Sequence, residues 1–230
     1  MCSPASALLD RPVWSALTTT WRSLAEGDER ALRLAADFGV FAALREDSDD
    51  ARSALAALCP AGAGLGLVET APVAPPPELE LISNAACDQM VAETLSPIEV
   101  KFEVVELGDA DAPEMLALAR LTEPGPFYAR THELGRFIGV KRDGRLAAMA
   151  GERMRFPGYC EVSGVCTHPD FRGHGYAAGL SSLVAQNIVA RGETPFLHVY
   201  PHNRPAIAIY EALGFQHRRS MTLTILGRRS

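Results

Sequence analysis

The sequence lacks the long apolar runs, paired cysteines and secretion signal that mark membrane and secreted chains. No apolar stretch approaches the roughly 20 residues that cross a bilayer. The N-terminus has no basic segment followed by an apolar one, so we expect no secretion. The five cysteines are an odd number without CxxC spacing, which is typical of reduced thiols. We therefore expect a cytoplasmic protein with no membrane partner.

An excess of positive charge is also missing. The formal net charge is −6 at pH 7, whereas a protein that binds nucleic acid through its phosphates needs clustered Lys and Arg. The charge therefore argues against a nucleic-acid partner. What is present is an ordinary globular composition, 47% hydrophobic and 22% charged over 230 residues. That length is enough for one large domain or two small ones.

A domain boundary is predicted at Ser96-Pro97, because the residue before a proline is pushed toward extended geometry. Residues 1–97 are then a smaller N-terminal α/β region. Asp49-Asp50 is expected to cap a helix there, since acidic residues suit a helix start. The elements predicted in this region are helices at 13–17, 21–25 and 51–58, and strands at 31–34, 64–69 and 79–82.

Residues 98–230 are predicted to form a second domain built on a strand meander. Asp143-Gly144 lies between two apolar runs, which is a strong hairpin signal. The elements predicted here are strands at 101–107, 136–141, 146–149, 159–167, 196–200 and 221–225, and helices beginning near 111, 177 and 204. The predicted fold class is therefore α/β (α+β), with a mixed, mostly antiparallel sheet flanked by helices.

A glycine-rich turn separates the strand at 159–167 from the helix that begins near 177. Such a turn presents backbone N–H groups to an anion at a helix N-terminus. A dinucleotide fold also uses glycines in this way, with an acidic residue about 20 positions further on. Here residues 168–171 intervene between strand and turn, and Glu193 precedes a strand instead of ending one. Three antiparallel strands upstream also do not suit the open parallel sheet of that fold.

Two motifs in this half resemble the GNAT N-acetyltransferase superfamily. The first is the turn at 172–177, Arg-Gly-His-Gly-Tyr-Ala, which matches Arg/Gln-x-x-Gly-x-Gly/Ala. The second is residues 203–215, Asn-Arg-Pro-Ala-Ile-Ala-Ile-Tyr-Glu-Ala-Leu-Gly-Phe, close to Asn-x-x-Ala-x-x-x-Tyr-x-x-x-Gly-Phe. The resemblance covers roughly residues 100–226 and implies an acyl-CoA N-acyltransferase fold. Residues 1–97 resemble the extra half of two-lobed members, a degenerate copy of the same fold.

The resemblance implies a set of residues that bind coenzyme A. The turn would hold the pyrophosphate, and the preceding strand end would bond the pantetheine arm like an added strand. A backbone N–H near Val165 could also stabilise the thioester oxyanion. The implied coenzyme-binding residues are Val165, Cys166, Thr167, Arg172, Gly173, His174, Gly175, Tyr176, Ala177 and Asn203.

Two residues are candidates for proton transfer. Tyr210, by resemblance, donates a proton to the coenzyme A sulfur; its alternative role is to pack on a helical face. Glu161 is the candidate base, because some family members carry a glutamate on this strand. Alternation would put Glu161, Ser163 and Val165 on one face. Its alternative role is a charged strand end in solvent.

Other reactive side chains in this region have simpler explanations. Cys166 is expected to be a small buried hydrophobe and not a nucleophile. Cys160, Cys166, His168 and His174 lack zinc-finger spacing, so no metal is expected. Asn203 can cap a helix and contact the coenzyme at once, and His198 is expected to be a core residue.

Together these features predict an acyl-CoA-dependent N-acyltransferase that transfers acetyl from acetyl-CoA to a primary amine by direct attack. A catalytically silent acyl-CoA sensor or regulatory module is the alternative. The acceptor would be a small-molecule or peptide amine, and the loop at 122–131 is either a wall of its site or a plain connection. A homodimer is compatible with the sequence.

Overall fold

The computed structural model describes residues 4–229. They form two compact units, one of residues 4–36, 40–88 and 219–229, the other of residues 37–39 and 89–218. Apart from the short segment 37–39, the chain passes from one unit to the other within strand β5 (Leu79–Val91) and again within strand β11 (Gln216–Arg228). The division of the chain into domains of residues 1–97 and 98–230 stays a prediction.

The first unit combines short helices with two groups of strands. Strands β1 (Ala25–Gly27), β2 (Ala31–Leu34) and β3 (Ala42–Leu44) form an antiparallel sheet in that order. Strand β4 (Gly64–Glu69) pairs antiparallel with β11, which in turn neighbours β5. The helices are α1 (Pro4–Asp10), α2 (Pro12–Leu17) and α3 (Asp49–Leu58), and a 3-10 turn spans Arg22–Leu24.

The start of α3 corrects the predicted cap. Ser48, not the acidic pair that follows it, is the N-cap, and its hydroxyl accepts from the Ala51 N–H at 3.3 Å. Asp49 and Asp50 occupy the first turn of the helix instead, where the dipole favours negative charge. The helix buries Leu55 and its small neighbours in the core of this unit.

The second unit has a six-stranded portion of sheet, in the order β5, β10, β9, β8, β7, β6. The β9–β10 pairing is parallel, and those of β6–β7, β7–β8 and β8–β9 are antiparallel. The predicted mixed, mostly antiparallel sheet with flanking helices is therefore confirmed. The bounds are β6 (Val105–Leu107), β7 (Phe137–Arg142), β8 (Arg145–Phe156), β9 (Tyr159–Thr167) and β10 (Thr194–Val199), with helices α4 (Ala112–Thr122), α5 (Tyr176–Ala190) and α6 (Arg204–Ala212).

Two apolar clusters hold these layers together. One joins α5 and α6 to the sheet through residues such as Leu180, Val184 and Leu213. The other joins α4 to the sheet through Met115 and Phe137. Burial of such side chains contributes roughly 1.5–3 kcal/mol each. The helices therefore cover the strands that position the predicted site.

One predicted turn is confirmed, and two predicted strands have different bounds in the structure. The hairpin at Asp143-Gly144 is confirmed, with φ of 52° and 72°, the left-handed geometry that type I′ turns need. The strand predicted at 101–107 forms only over Val105–Leu107. The strand predicted at 221–225 is longer and spans Gln216–Arg228.

Candidate active site

The glycine turn lies between the end of β9 and the start of α5. After β9 the chain makes a 3-10 turn at Pro169–Phe171, and α5 begins at Tyr176. Gly173 and Gly175 have φ of 83° and 73°, a conformation that side chains with a Cβ seldom adopt. The sequence therefore needs glycine at both positions to turn the chain into the helix.

The turn leaves several backbone N–H groups unpaired. The first carbonyl bond of α5 runs from the Gly179 N–H to the Gly175 carbonyl at 3.0 Å. Within residues 4–229, the N–H groups of Tyr176 and Ala177 have no protein acceptor. A Cβ built on Gly173 or Gly175 would meet no atom within 4 Å, so the space beside the turn is open. Unpaired N–H groups at a helix N-terminus suit an anion such as a diphosphate.

Positively charged and aromatic side chains surround the turn. The His174 Nδ1–H donates to the carbonyls of Phe171 and Arg172 at 3.1 and 3.0 Å. The His174 ring stacks on Tyr176 with centroids 5.4 Å apart. The Arg142 Nε–H donates to the Tyr176 hydroxyl at 3.1 Å. These contacts fix the shape of the turn and place a guanidinium beside it.

Strand β9 carries a bulge at Gly164 that changes which side chains share a face. Met149 faces Cys166 while Gly151 faces Ser163, so β9 holds one residue more than β8 between these pairs. Gly164 has a φ of 62°, which suits a bulge. Val162 and Val165 both pack against the α5 cluster, although they are three positions apart.

The predicted face of β9 is therefore wrong. Strict alternation would put Glu161 and Val165 on the same face. In the structure Cys160, Val162 and Val165 contact the α5 cluster, and Glu161 points to the opposite face. The bulge, which no local pattern in the sequence marks, is the reason.

Beyond Glu161, β9 and β10 separate. Their parallel register runs from Tyr159 opposite Thr194 to Glu161 opposite Phe196, and no further pairs follow among the described residues. Both strands continue past this point, β9 to Thr167 and β10 to Val199. The sheet therefore opens where the predicted thioester segment begins.

Helix α6 carries Tyr210, which lies near Cys166 on the separated part of β9, and Asn203 precedes the first residue of the helix. Asn203 is the N-cap, and its Oδ1 accepts from the Ala206 N–H at 3.3 Å. Tyr210 is buried, and burial together with the nearby Cys166 thiol raises its pKa to about 12. Its hydroxyl has no hydrogen-bond partner in the part of the chain that the structure describes. A buried phenol that stays protonated at neutral pH can donate a proton.

Glu161 is buried and its hydrogen-bonding capacity is taken up. Arg153 donates to both carboxylate oxygens, at 2.9 and 3.0 Å. His198 Nδ1 lies 2.9 Å from Oε1, and the Met154 N–H donates to Oε2 at 3.3 Å. Burial disfavours the charge, but these partners outweigh it and lower the pKa of Glu161 to about 2. A carboxylate with such a low pKa is a weak proton acceptor at neutral pH.

A second bulge explains how β8 supplies two of these donors. Glu152 faces Val162 while Arg155 faces Cys160, so β8 has an extra residue here. The bulge directs the Arg153 side chain and the Met154 N–H to the same carboxylate. Arg153 also donates to the Pro126 carbonyl at 3.4 Å, which ties the loop at 122–131 to the site.

The thiols of β9 are poor nucleophiles. Cys160 and Cys166 are both buried, and burial raises the pKa of each, that of Cys166 to about 12. The thiolate is the reactive form of cysteine, so neither side chain is activated. Among residues 4–229 no group of three or more His, Cys, Asp and Glu is arranged to hold a metal ion.

Sequence reasoning missed Arg153 and gave His198 a passive role. Both residues contact Glu161, one from each neighbouring strand. The sequence did indicate that His198 shares one face of β10 with Phe196, because the two residues are two positions apart. It carried no sign that Glu161 on the neighbouring strand is the partner of His198.

A separate cavity of about 330 Å³ lies in the first unit and contains none of the predicted site residues. It is lined by Trp14, Thr18, Arg22, Asp28, Glu29, Leu32 and Arg45.

Comparisons with known proteins now decide the family. The model of the FR47-like protein family matches residues 137–223. A solved structure from Novosphingobium aromaticivorans, described as a candidate acetyltransferase of the GNAT family, is 46% identical and covers 96% of this chain and 99% of its own, with a TM-score of 0.89. The chain belongs to the GNAT acetyltransferase family. The resemblance that the two motifs indicate is thereby confirmed.

More distant GNAT structures share the fold of this family member. A GCN5-related N-acetyltransferase from Kribbella flavida is 17% identical and covers 94% of both chains, with a TM-score of 0.63. A GCN5-related N-acetyltransferase-like protein from Streptococcus suis is 13% identical and covers 95% of this chain and 92% of its own, with a TM-score of 0.58. No curated protein matches the chain. Across residues 4–229, no helix is both long and apolar enough to span a membrane.

Proposed function

We propose that this GNAT protein is an acyl-CoA-dependent N-acyltransferase that moves acetyl from acetyl-CoA to a primary amine by direct attack. The observation that carries the proposal is the position of Tyr210, a buried, protonated phenol without a hydrogen-bond partner beside the opening of the sheet. Coenzyme A is the cosubstrate, the acceptor is a small-molecule or peptide amine, and the reaction takes place in the cytoplasm.

The turn fits the diphosphate of coenzyme A. Unpaired N–H groups of Tyr176 and Ala177 and the open space beside Gly173 and Gly175 support this assignment. Arg172 adds positive charge to the same turn. The helix dipole then attracts the diphosphate, and at an exposed helix end this attraction contributes about 0.3–1 kcal/mol to the free energy of binding.

The separated end of β9 would receive the pantetheine arm. Val165, Cys166 and Thr167 lie past the last β9–β10 pair, so those of their backbone groups that do not point toward β8 face an edge that β10 no longer covers. Added-strand pairing is the usual way for an extended ligand to use such an edge. The Val165 N–H is the proposed donor to the carbonyl oxygen of the thioester.

Tyr210 is the proposed acid. Attack of the amine on the thioester carbonyl forms a C–N bond and breaks the C–S bond, and the phenol gives its proton to the departing sulfur. Its pKa of about 12 keeps it protonated over the working range. Asn203 holds the start of α6 in place and is the remaining proposed contact of coenzyme A.

The test is release of the coenzyme A thiol from acetyl-CoA with a panel of primary amines: a polyamine, an aminoglycoside, an α-amino acid and a peptide. Tyr210→Phe should lower kcat by about 10²–10⁴, while acetyl-CoA still raises the melting temperature. Tyr159→Phe, on the paired start of β9, is the matched control and should keep wild-type turnover.

Two outcomes would count against the proposal. Stabilisation by acetyl-CoA without turnover on any amine would favour the silent sensor. If neither acetyl-CoA nor coenzyme A changes the melting temperature, the assignment of the turn to coenzyme A is wrong.

A further inference from the structure

The cavity of about 330 Å³ in the first unit is built from several separate segments of that unit. Trp14 on α2 and Leu32 on β2 supply its apolar wall, with Leu32 buried and Trp14 half-buried. Charged side chains supply most of the remaining lining. Arg22 comes from the 3-10 turn, and Arg45 directly follows β3. The volume lies at the lower end of the range for small-molecule sites, which combine an apolar wall with a few polar groups.

The two arginines of the cavity differ from the other arginines of the first unit. Within residues 4–229, neither the Arg22 nor the Arg45 guanidinium has a hydrogen-bond or ion-pair partner. Every other arginine of this unit donates to a carboxylate or to a backbone carbonyl: Arg11, Arg30, Arg33, Arg52, Arg219, Arg228 and Arg229. A guanidinium offers five N–H donors and no acceptor. The two guanidiniums that keep all their donors for a ligand or for solvent therefore line the same cavity.

The backbone that carries Arg45 is held on both sides. Its N–H donates to the Arg30 carbonyl at 2.8 Å, and its carbonyl accepts from the Arg11 guanidinium at 2.6 Å. The same guanidinium lies 5.5 Å from the centroid of the Trp14 ring. Arg11 thus links the aromatic wall of the cavity to the strand end that carries Arg45. A backbone that is already in place reduces the entropic cost of binding a ligand.

Positive charge prevails among the free charged groups of the cavity. Two carboxylates, those of Asp28 and Glu29, also line it. The Asp28 carboxylate accepts from the Arg30 guanidinium at 2.6 and 3.1 Å, so its charge is offset within the protein. The Glu29 carboxylate has no partner in the described part of the chain. Arg22 and Arg45 together outweigh it, and the site therefore suits a ligand with one negative charge.

We propose that this cavity binds a small monocarboxylate with a flat apolar body. The carboxylate accepts hydrogen bonds from the Arg22 and Arg45 guanidiniums, because the planar fork of an arginine matches two carboxylate oxygens. The apolar body packs against Trp14 and Leu32, which removes apolar surface from water. A phosphate monoester carries nearly two negative charges at pH 7 and is the poorer match beside Glu29. The site contains none of the residues assigned to coenzyme A or to proton transfer.

The experiment is isothermal titration calorimetry of the full chain at pH 7 and low salt, because salt screens exposed charges. The probe is 3-phenylpropionate, and we expect saturable binding at one site. Phenethylamine has the same ring with the opposite charge and should not bind. Acetate has the carboxylate without the apolar body and should bind at least about tenfold more weakly. Phenyl phosphate should also bind more weakly than 3-phenylpropionate.

Variants of the charged groups assign the heat to the cavity. Arg22→Gln and Arg45→Gln should each weaken binding of 3-phenylpropionate about threefold to tenfold. Both should keep the wild-type melting temperature, because neither side chain loses a protein partner. Glu29→Gln is the matched control, since it neutralises a charge of the same cavity and should bind the probe at least as tightly as wild type. Arg120→Gln, at an exposed arginine of α4 in the second unit, should leave the affinity unchanged.

Several results would overturn the inference. One is the lack of saturable binding of 3-phenylpropionate, and another is equal affinity for phenethylamine. Wild-type affinity in both arginine variants would show that the probe binds elsewhere. Weaker binding to Glu29→Gln would show that the cavity selects a positive group, and tighter binding of phenyl phosphate would assign it to phosphate esters. No amine acceptor or thioester enters this test, so the inference and the proposed function fail separately.

Discussion

Glu161→Gln tests the energetic role of the buried carboxylate of β9 that Arg153 and His198 contact. The substitution keeps the size of the side chain but replaces one acceptor oxygen with an N–H donor. That donor would face either the Arg153 guanidinium or the His198 Nδ1–H, both of which already donate to Glu161. Removal of one partner of a buried ion pair costs about 3–5 kcal/mol. We expect a loss of about that size in the free energy of unfolding at pH 7.

The pH dependence of this loss can be worked out from the pKa. The pKa of Glu161 falls from an ordinary 4.5 to about 2 in the folded chain, so its stabilisation is complete above the unfolded value and is lost as the pH falls toward 2. Each pKa unit corresponds to about 1.4 kcal/mol. Between pH 7 and pH 3.5 the stabilisation should shrink by about 1.4 kcal/mol, because only the unfolded chain takes up the proton in that range.

The assay is urea unfolding followed by far-ultraviolet circular dichroism at pH 7 and pH 3.5. Tryptophan fluorescence is less suitable, because Trp14 and Trp21 lie in the first unit and Glu161 in the second. Glu99→Gln is the matched control, since its carboxylate is 81% exposed and should change stability little. A gap between wild type and Glu161→Gln that stays constant or widens on acidification would refute the reasoning.

Two further predictions concern packing and thiol chemistry in the same sheet. Gly151→Ala should destabilise the fold by about 1–3 kcal/mol, because a Cβ there would lie 2.4 Å from the Phe137 ring; Gly108→Ala, where a Cβ meets nothing within 4 Å, is the control in thermal melts. Equal melting temperatures for the two variants would contradict this. Cys160 and Cys166 should resist iodoacetamide at pH 8 in the folded chain and react in urea, as followed by peptide mass mapping, because burial raises the pKa of both thiols. Labelling at the same rate in both conditions would show that the thiols are accessible.

Local chemistry made much of the second unit predictable. The hairpin at Asp143-Gly144 and the cap at Asn203 were identified because each depends on a few adjacent residues, and both are present. The strand at 101–107 was overpredicted for a physical reason. Phe102 and Val104 pack against the core, so the alternation of apolar and charged residues correctly indicated which side chains are buried. Backbone pairing with β7, however, begins only at Val105.

The chemistry of the site was less predictable, because it depends on contacts between distant parts of the chain. Arg153 and His198 are eight and 37 positions from Glu161, and Gln89 is 109 positions from His198. Hydrophobic alternation carries no information about such pairs. The roles of the glycine turn, Tyr210 and Glu161 in binding and catalysis stay predictions that the experiments above address.

The bulge at Gly164 gives β9 one residue more than β8 between two of their pairs. A deletion of this single residue would leave regular alternation and keep Val165 and Cys166 on their present faces, toward the clusters of α5 and α4. The deletion would remove the local bend and the added twist that a bulge gives to a strand. The bulge therefore shapes the course of the free edge of β9, and a one-codon loss at Gly164 would straighten that edge without exchanging the side chains on its two faces.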